Sequence, residues 1–269
     1  MQCGPLDGPL VILLHGFPEF WYGWRQQIGF LAEQGYRVWA PDQRGYNTSD
    51  KPPKVGDYSL EQTSQDVLDL ISSSGRSDVR LVGHDWGGCV VWTIATFHPE
   101  AARQFVVINV PHPAILMRHL RTNPRQMLRS WYAMALQIPW LPEALVARNN
   151  WRMMVQGMLD TSLPGTFTEE DFAQYRRAWS QPAAVKCMIH WYRAALWYGP
   201  HWPKRLTIAA PTLLLWGVHD RFAGREVARS SIELCSQGQL VEFADATHWV
   251  QHERPDEVNA QLIGYFASG

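Results

Sequence analysis

Two hydrophobic patterns alternate along this chain, and the alternation constrains its fold more than any other feature. Leu10–Leu14 is an unbroken apolar run, as expected of a short strand buried on both faces. Tyr36–Ala40, punctuated by Gly35 and Pro41, is a second run, Val79–Val82 a third and Gln104–Ile108 a fourth. Between them, Gln62–Ser72 carries Val67, Leu68 and Ile71 at helical spacing and stops at Gly75, and Gly87–His98 reads as a helix ended by Pro99. Strand and helix in turn imply a parallel sheet with helices on both faces.

After Pro111 the strand pattern vanishes. Helical segments rich in Trp and Met follow, broken by Pro124, Pro139, Pro142, Pro164, Pro182, Pro200 and Pro203. Then Thr212–Trp216 and Leu240–Phe243 read as strands, with Arg225–Leu234 and Pro255–Phe266 as helices; Pro255 suits a first helical turn. One α/β core (1–110 and 204–269) is therefore expected to carry an inserted helical cap (111–203). Composition divides the same way. The cap stretch holds seven of the 14 Trp and seven of the eight Met, with ten basic residues against five acidic. The whole chain of 269 residues has net charge −1, so it offers no global electrostatic reason to bind nucleic acid or an anionic membrane. No uncharged run approaches the ~20 residues of a spanning helix. Four scattered cysteines (Cys3, Cys89, Cys187, Cys235) without metal-like spacing and no basic-then-apolar leader suggest a reduced, cytoplasmic protein.

The most specific local signal is Gly83-His84-Asp85-Trp86-Gly87-Gly88, between the third strand and its helix. A sharp strand-turn-helix stands one side chain above the sheet, and small neighbours relieve the crowding. Such elbows usually carry Ser; here the central residue is Asp85, and G-x-S-x-G occurs nowhere. A glycine-rich turn with Asp85 as helix cap would account for the motif alone. The residues that follow point further. A carboxylate is ionised near neutral pH, is favoured at a helix N-terminus and can attack a saturated electrophilic carbon to form an alkyl ester. That ester then needs an activated water.

Asp220 and His248 each follow a later strand, in Gly217-Val218-His219-Asp220 and Ala246-Thr247-His248-Trp249. The order Asp85, Asp220, His248 matches nucleophile, orienting acid and base. His219 and His252 are rival bases; His15 and His84 are expected to be structural. His15-Gly16-Phe17-Pro18 follows the first strand, where the Phe17 N–H can join the Trp86 N–H as an oxyanion hole.

These residues carry a resemblance over nearly the whole chain. HGFPEFWYGWR (His15–Arg25), Gly45-Tyr46-Asn47-Thr48-Ser49, GHDWGG and THWVQHERPDEVN (Thr247–Asn259) resemble the α/β-hydrolase fold epoxide hydrolases, relatives of the haloalkane and haloacetate dehalogenases. Asn47 stands where that family commonly has Gly, and Asn tolerates left-handed backbone. The resemblance implies an α/β-hydrolase fold: a mostly parallel sheet flanked by helices, with an inserted helical cap. It implies opening of a small apolar epoxide to a vicinal diol with water, without metal or organic cofactor, and two cap tyrosines that donate to the epoxide oxygen. Tyr192, in Trp191-Tyr192-Arg193, and Tyr132, in Ser130-Trp131-Tyr132, match those positions; Tyr175 and Tyr198 are rivals. Trp86, Trp131, Trp191, Trp249, Phe17 and Pro18 are the expected substrate contacts.

The chain departs from the family in having only nine residues before Leu10, where relatives usually place an antiparallel strand pair. A short or exposed sheet edge is expected there, and with it a possible homodimer. The alternative activity is haloalkane dehalogenation by the same Asp-His-Asp set. Those enzymes typically carry Asn at the Phe17 position as a second halide donor, and haloacetate dehalogenases typically carry Arg at the Trp86 position; neither is present. A ligand receptor with little turnover is the alternative of a different class, and the full set of candidate groups argues against it.

Overall fold

In the computed structural model, which describes residues 1–268, seven strands form one sheet in the order β1-β3-β2-β4-β5-β6-β7. They are β1 (Gln2–Cys3), β2 (Leu10–Leu14), β3 (Arg37–Trp39), β4 (Arg80–His84), β5 (Gln104–Ile108), β6 (Thr212–Gly217) and β7 (Gly238–Phe243). All pairs are parallel except β1 with β3. Every residue of β2, β4 and β5 is buried, which is why β2 reads as an unbroken apolar run and β4 and β5 as apolar stretches with a polar residue only at their ends. The sheet edge formed by the residues before Leu10, expected to be short or exposed, is short: β1 has two residues. Gln2 and Cys3 pair antiparallel with Trp39 and Val38, and the Met1 ammonium donates to the Ala40 carbonyl.

One face of the sheet carries α1 (Arg25–Glu33), which periodicity did not single out, and the later α12 (Val250–Glu253) and α13 (Pro255–Ala267). Val11, Leu13, Val82, Val106, Leu215, Val258 and Leu262 form the core between them. The other face carries α2 (Leu60–Ser74) and α3 (Trp86–Phe97). Ser59 caps α2, and Gly75 ends it at φ +64°, a left-handed position that glycine adopts without a Cβ penalty.

Between β5 and β6 lies the helical insert: α4 (Pro113–Thr122), α5 (Pro124–Arg129), α6 (Trp131–Ala135), α7 (Leu141–Val146), α8 (Arg152–Thr161), α9 (Glu169–Trp179) and α10 (Ala184–Trp197). Two of the prolines that broke the sequence pattern, Pro124 and Pro142, begin helices, as does Pro113: all three occupy first-turn positions, where the missing N–H costs nothing. α4 also packs on α11 (Arg225–Ile232) of the core.

The insert is pinned to the core mainly by polar tips of buried aromatics. Trp179 Nε1 donates to the Pro18 carbonyl at 2.6 Å, Trp191 Nε1 to the Arg44 carbonyl at 3.0 Å and Tyr175 Oη to Glu19 at 2.6 Å. Arg25 pairs with Asp171 at 3.0 Å. The tryptophan content thus serves partly as a seam, each ring buried and each N–H satisfied. Among the described residues all four cysteines are free, and no helix is long and apolar enough to cross a membrane.

Candidate active site

The sheet ends its central strands in three turns that converge on one carboxylate. Asp85 lies between β4 and α3 at φ +50°, ψ −122°, a strained conformation for a residue with a Cβ. It does not cap the helix with its side chain, so the plain capping reading of the motif fails. The turn is tight enough that a Cβ on Gly87 would collide with the backbone of Leu14 and His15. Asp85 Oδ1 accepts the Phe17 N–H at 2.8 Å. The Trp86 N–H opens α3 and, as a first-turn donor, has no intrahelical acceptor. Of the two N–H groups expected as oxyanion donors, Phe17 thus meets the Asp85 carboxylate directly, and Trp86 follows Asp85 in the chain at the free start of α3.

His248 Nε2 stands 3.8 Å from Asp85 Oδ2, and its Nδ1 is 2.9 Å from Asp220 Oδ2. Asp220 is wholly buried yet amply solvated by protein donors. Its Oδ1 accepts from Phe222 N at 2.6 Å and Ala223 N at 3.0 Å, and its Oδ2 also accepts from Asn109 Nδ2 at 2.8 Å. Burial alone would raise the Asp220 pKa, but His248 and these hydrogen bonds outweigh it and hold the carboxyl below its ordinary value. Burial pulls His248 down, while Asp220 and then Asp85 push it up; the net direction is up.

Asn109 was not singled out from the sequence. It follows β5 at φ +47°, and its Oδ1 accepts the Gly217 N–H at 2.8 Å, so it ties the acid-bearing loop to the neighbouring strand end. An Asn directly after a buried strand and before Val110-Pro111 was the available signal. Asn47 also takes the left-handed conformation, at φ +42°, in keeping with its place in the glycine-rich stretch.

A cavity opens over Asp85 in two lobes of about 440 Å³ and about 460 Å³. Asp85, His248, Tyr132, Tyr192 and Phe222 line both. Tyr132 and Tyr192 meet edge to face at 6.0 Å, and Tyr192 packs on Trp86 at 4.9 Å and Phe17 at 5.3 Å. Burial, with Asp85 nearby, raises both phenol pKa values, so both tyrosines stay protonated donors. Phe17, Pro18, Trp131 and Trp249 line the first lobe and Trp86 the second. Trp191 lines neither. It is buried against Trp86 and Tyr46 and borders a separate recess with Gln43, Arg44 and Asp66. The α10 turn that sends Tyr192 into the cavity sends its neighbour away, as one residue along a helix must. Phe222, stacked edge to face on His248 at 4.8 Å, is a wall residue that carried no motif.

The rivals fall elsewhere. Tyr198 and His219 are exposed. Tyr175 and His252 both bond Glu19, a buried carboxylate that also faces His84 Nδ1 at 3.3 Å. His84 Nε2 in turn meets the His248 carbonyl at 2.9 Å, and His15 Nε2 accepts the Gln43 N–H at 3.0 Å. Burial would raise Glu19, but His252 and His84 hold it well below its ordinary value. Among the described residues, no three His, Cys, Asp or Glu converge in a metal-holding group.

A sequence profile of the alpha/beta hydrolase fold matches residues 9–255. The chain is 40% identical to the AB hydrolase superfamily protein YfhM of Bacillus subtilis (strain 168), over 98% of this chain and 92% of that protein. It is 38% identical to human epoxide hydrolase 4, over 99% of this chain and 74% of the relative. Among solved structures, it is similar to a variant epoxide hydrolase of Bacillus megaterium complexed with its product (R)-3-[1]naphthyloxy-propane-1,2-diol. That likeness has a TM-score of 0.89 at 30% identity and covers 99% of this chain and 95% of the other.

Proposed function

Because the chain belongs to the epoxide hydrolase family of the α/β-hydrolase fold, we propose that it opens apolar epoxides to vicinal diols through an ester on Asp85. The observation that carries this reading is the pairing, across one cavity, of a partly buried carboxylate backed by His248–Asp220 with two protonated phenols. A carboxylate alone displaces a strained ring oxygen slowly, because an alkoxide develops. Phenol donors stabilise that charge where it forms.

The steps balance as follows. Asp85 Oδ2 attacks a ring carbon, the C–O bond breaks, and a tyrosine gives its proton to the departing oxygen. His248 Nε2 takes a proton from water, which attacks the Asp85 carboxyl carbon. The Phe17 and Trp86 N–H groups hold the resulting oxyanion. Collapse expels the diol oxygen, which takes the proton from His248; the proton left on the Asp85 carboxyl returns to the tyrosinate. His248 is needed only in the second half, unlike a base that must activate a hydroxyl nucleophile.

The walls support a choice of substrate. Apart from Asp85 and His248 the two lobes present no charged side chain, so an uncharged epoxide fits and a free carboxylate would be buried unpaired. The lobes lie on either side of the tyrosine pair, which suits an epoxide with an apolar arm on each carbon. The related Bacillus megaterium enzyme was seen with an aryl ether diol. Phe17 has no side-chain donor for halide, which disfavours dehalogenation.

Turnover of styrene oxide to its diol, with bromoalkanes as a parallel control, tests the activity. One turnover in ¹⁸O-water tests the route: the first diol carries the oxygen of Asp85, and solvent label in that diol would exclude the ester. Halide release without diol would favour the dehalogenase.

A further inference from the structure

We propose that the outer face of the insert around α5, α6 and α7 docks on an anionic lipid surface, with both lobes of the cavity walled in part by the same helices. Four observations meet there.

The first is charge. From Arg118 to Arg152 the chain carries six arginines (Arg118, Arg121, Arg125, Arg129, Arg148, Arg152), all exposed; Arg129 also donates from Nη1 to the Asp220 carbonyl at 3.1 Å. Among the described residues none of them reaches a carboxylate within ion-pair distance, whereas Arg25, Arg44, Arg176, Arg193, Arg225 and Arg254 all do. The only acidic side chain in that stretch, Glu143, is taken by Arg193 at 2.6 Å. The near-zero net charge of the whole chain averages this face away.

The second is exposed apolar surface. Trp140 is 79% exposed, Leu128 74% and Trp131 68%, with Met127, Met134 and Ile138 also exposed. Scattered exposed apolar residues need no explanation, but six large ones between Met127 and Trp140 do.

The third is backbone. Trp140, between Pro139 and Leu141-Pro142, is held at φ +50°. A bulky aromatic kept both strained and in water gains nothing within the folded chain.

The fourth is position. Trp131 and Ala135 line the first lobe, Ala133 and Met134 the second, and Tyr132 both. The five-residue α6 therefore lines both lobes, and exposed apolar residues wall each one, Trp131 and Ile138 the first and Met127 and Met134 the second.

Arginines interleaved with exposed Trp and Leu suit the boundary between phosphate headgroups and acyl chains, where indole rings settle and cations meet anionic lipid. A second copy of this chain suits the face less well. A two-fold contact would bring together both sets of arginines that lack carboxylate partners, with no acidic side chain but Glu143 in the stretch to answer them. Apolar epoxides concentrate in bilayers, so a docked face would receive them without passage through water.

Vesicle sedimentation with the full chain tests this, and its readout does not depend on what the enzyme turns over. Vesicles of phosphatidylcholine with about 30 mol % phosphatidylglycerol should bind the protein, neutral vesicles should bind it at least about tenfold less, and about 0.5 M salt should release it. Arg121→Gln with Arg125→Gln should weaken binding about 25-fold, at about fivefold per arginine. Trp140→Ser with Leu128→Ser should abolish it with the melting temperature unchanged. No binding to either vesicle, or equal binding of the arginine variant, overturns the proposal. So does a concentration-dependent dimer that Trp140→Ser dissolves in the absence of vesicle binding.

Discussion

Replacing Asp220 by Asn should separate the two halves of the reaction. Four donors surround that carboxylate: Phe222 N and Ala223 N on Oδ1, Asn109 Nδ2 and His248 Nδ1 on Oδ2. An amide at this position keeps its oxygen on the two backbone N–H groups, which cannot turn. Its NH₂ then faces His248 Nδ1 and forces the imidazole to accept there. The ring proton moves to Nε2, the atom that must take a proton from water. Asn109 cannot relieve the conflict, because its own oxygen is engaged by Gly217 N. The lost charge adds to the wrong tautomer. Unit charges about 4 Å apart at an effective dielectric near 20 attract by about 4 kcal/mol, so an imidazolium forming without that partner slows hydrolysis about 10³-fold. Ester formation uses neither group and should stay within about tenfold of the parent rate. Rapid-quench mass spectrometry of the intact protein with styrene oxide reads both steps. The Asp220→Asn protein should carry one substrate mass within the first turnover and hold it. If alkylation and hydrolysis fall together, or no ester accumulates, His248–Asp220 does not act on the second step and the mechanism is wrong.

Four further outcomes are expected. Tyr192→Phe and Tyr132→Phe should each slow alkylation by about 10²–10³ and leave hydrolysis of the formed ester intact; single variants alkylating at the parent rate would remove the phenols from the reaction. Because His248 is raised above 6.5, ester hydrolysis should decline as pH falls through a midpoint above that value. The linked stability has the opposite sign: the His248 contribution is complete below 6.5 and lost as pH rises through the raised pKa. Burial drives His112 down to about 3, so its contribution is present above 6.5 and lost as pH falls toward 3; His112→Asn, which keeps the helix cap, should flatten the acid side of a melting-temperature profile. Gly16→Ala would set a Cβ 2.8 Å from Asp85 Cγ, and should abolish alkylation for a stability loss of only about 1–3 kcal/mol. A Gly16→Ala protein that melts normally and alkylates normally would show that the carboxylate tolerates displacement.

How much of the site was legible follows from how local each signal is. The elbow announced itself because Gly83, Gly87 and Gly88 around Asp85 are demanded by a turn a few residues long. Asp220 and His248 could be found because each closes a strand with a distinct apolar run. Asn109 was missed because its two partners, Asp220 and Gly217, are more than 100 residues away. Glu19 was missed for the same reason: nothing near it in the chain says that His252, Tyr175 and His84 will surround it. Trp191 and Tyr192 are neighbours in sequence, and only the phase of α10 decides that one faces the cavity and the other the Arg44 recess.

The sequence by itself determined the alternation of buried strands and helices, the interruption by a basic, Trp- and Met-rich insert, and the order of nucleophile, acid and base. These depend on backbone sterics and on burial period, both written in residues a few positions apart. Tertiary structure alone decided which tyrosines share a cavity with Asp85, that the cavity has two lobes, and which arginines lack a carboxylate partner. Those depend on distances between segments far apart in the chain, and such distances exist only once the sheet and its insert have closed on each other.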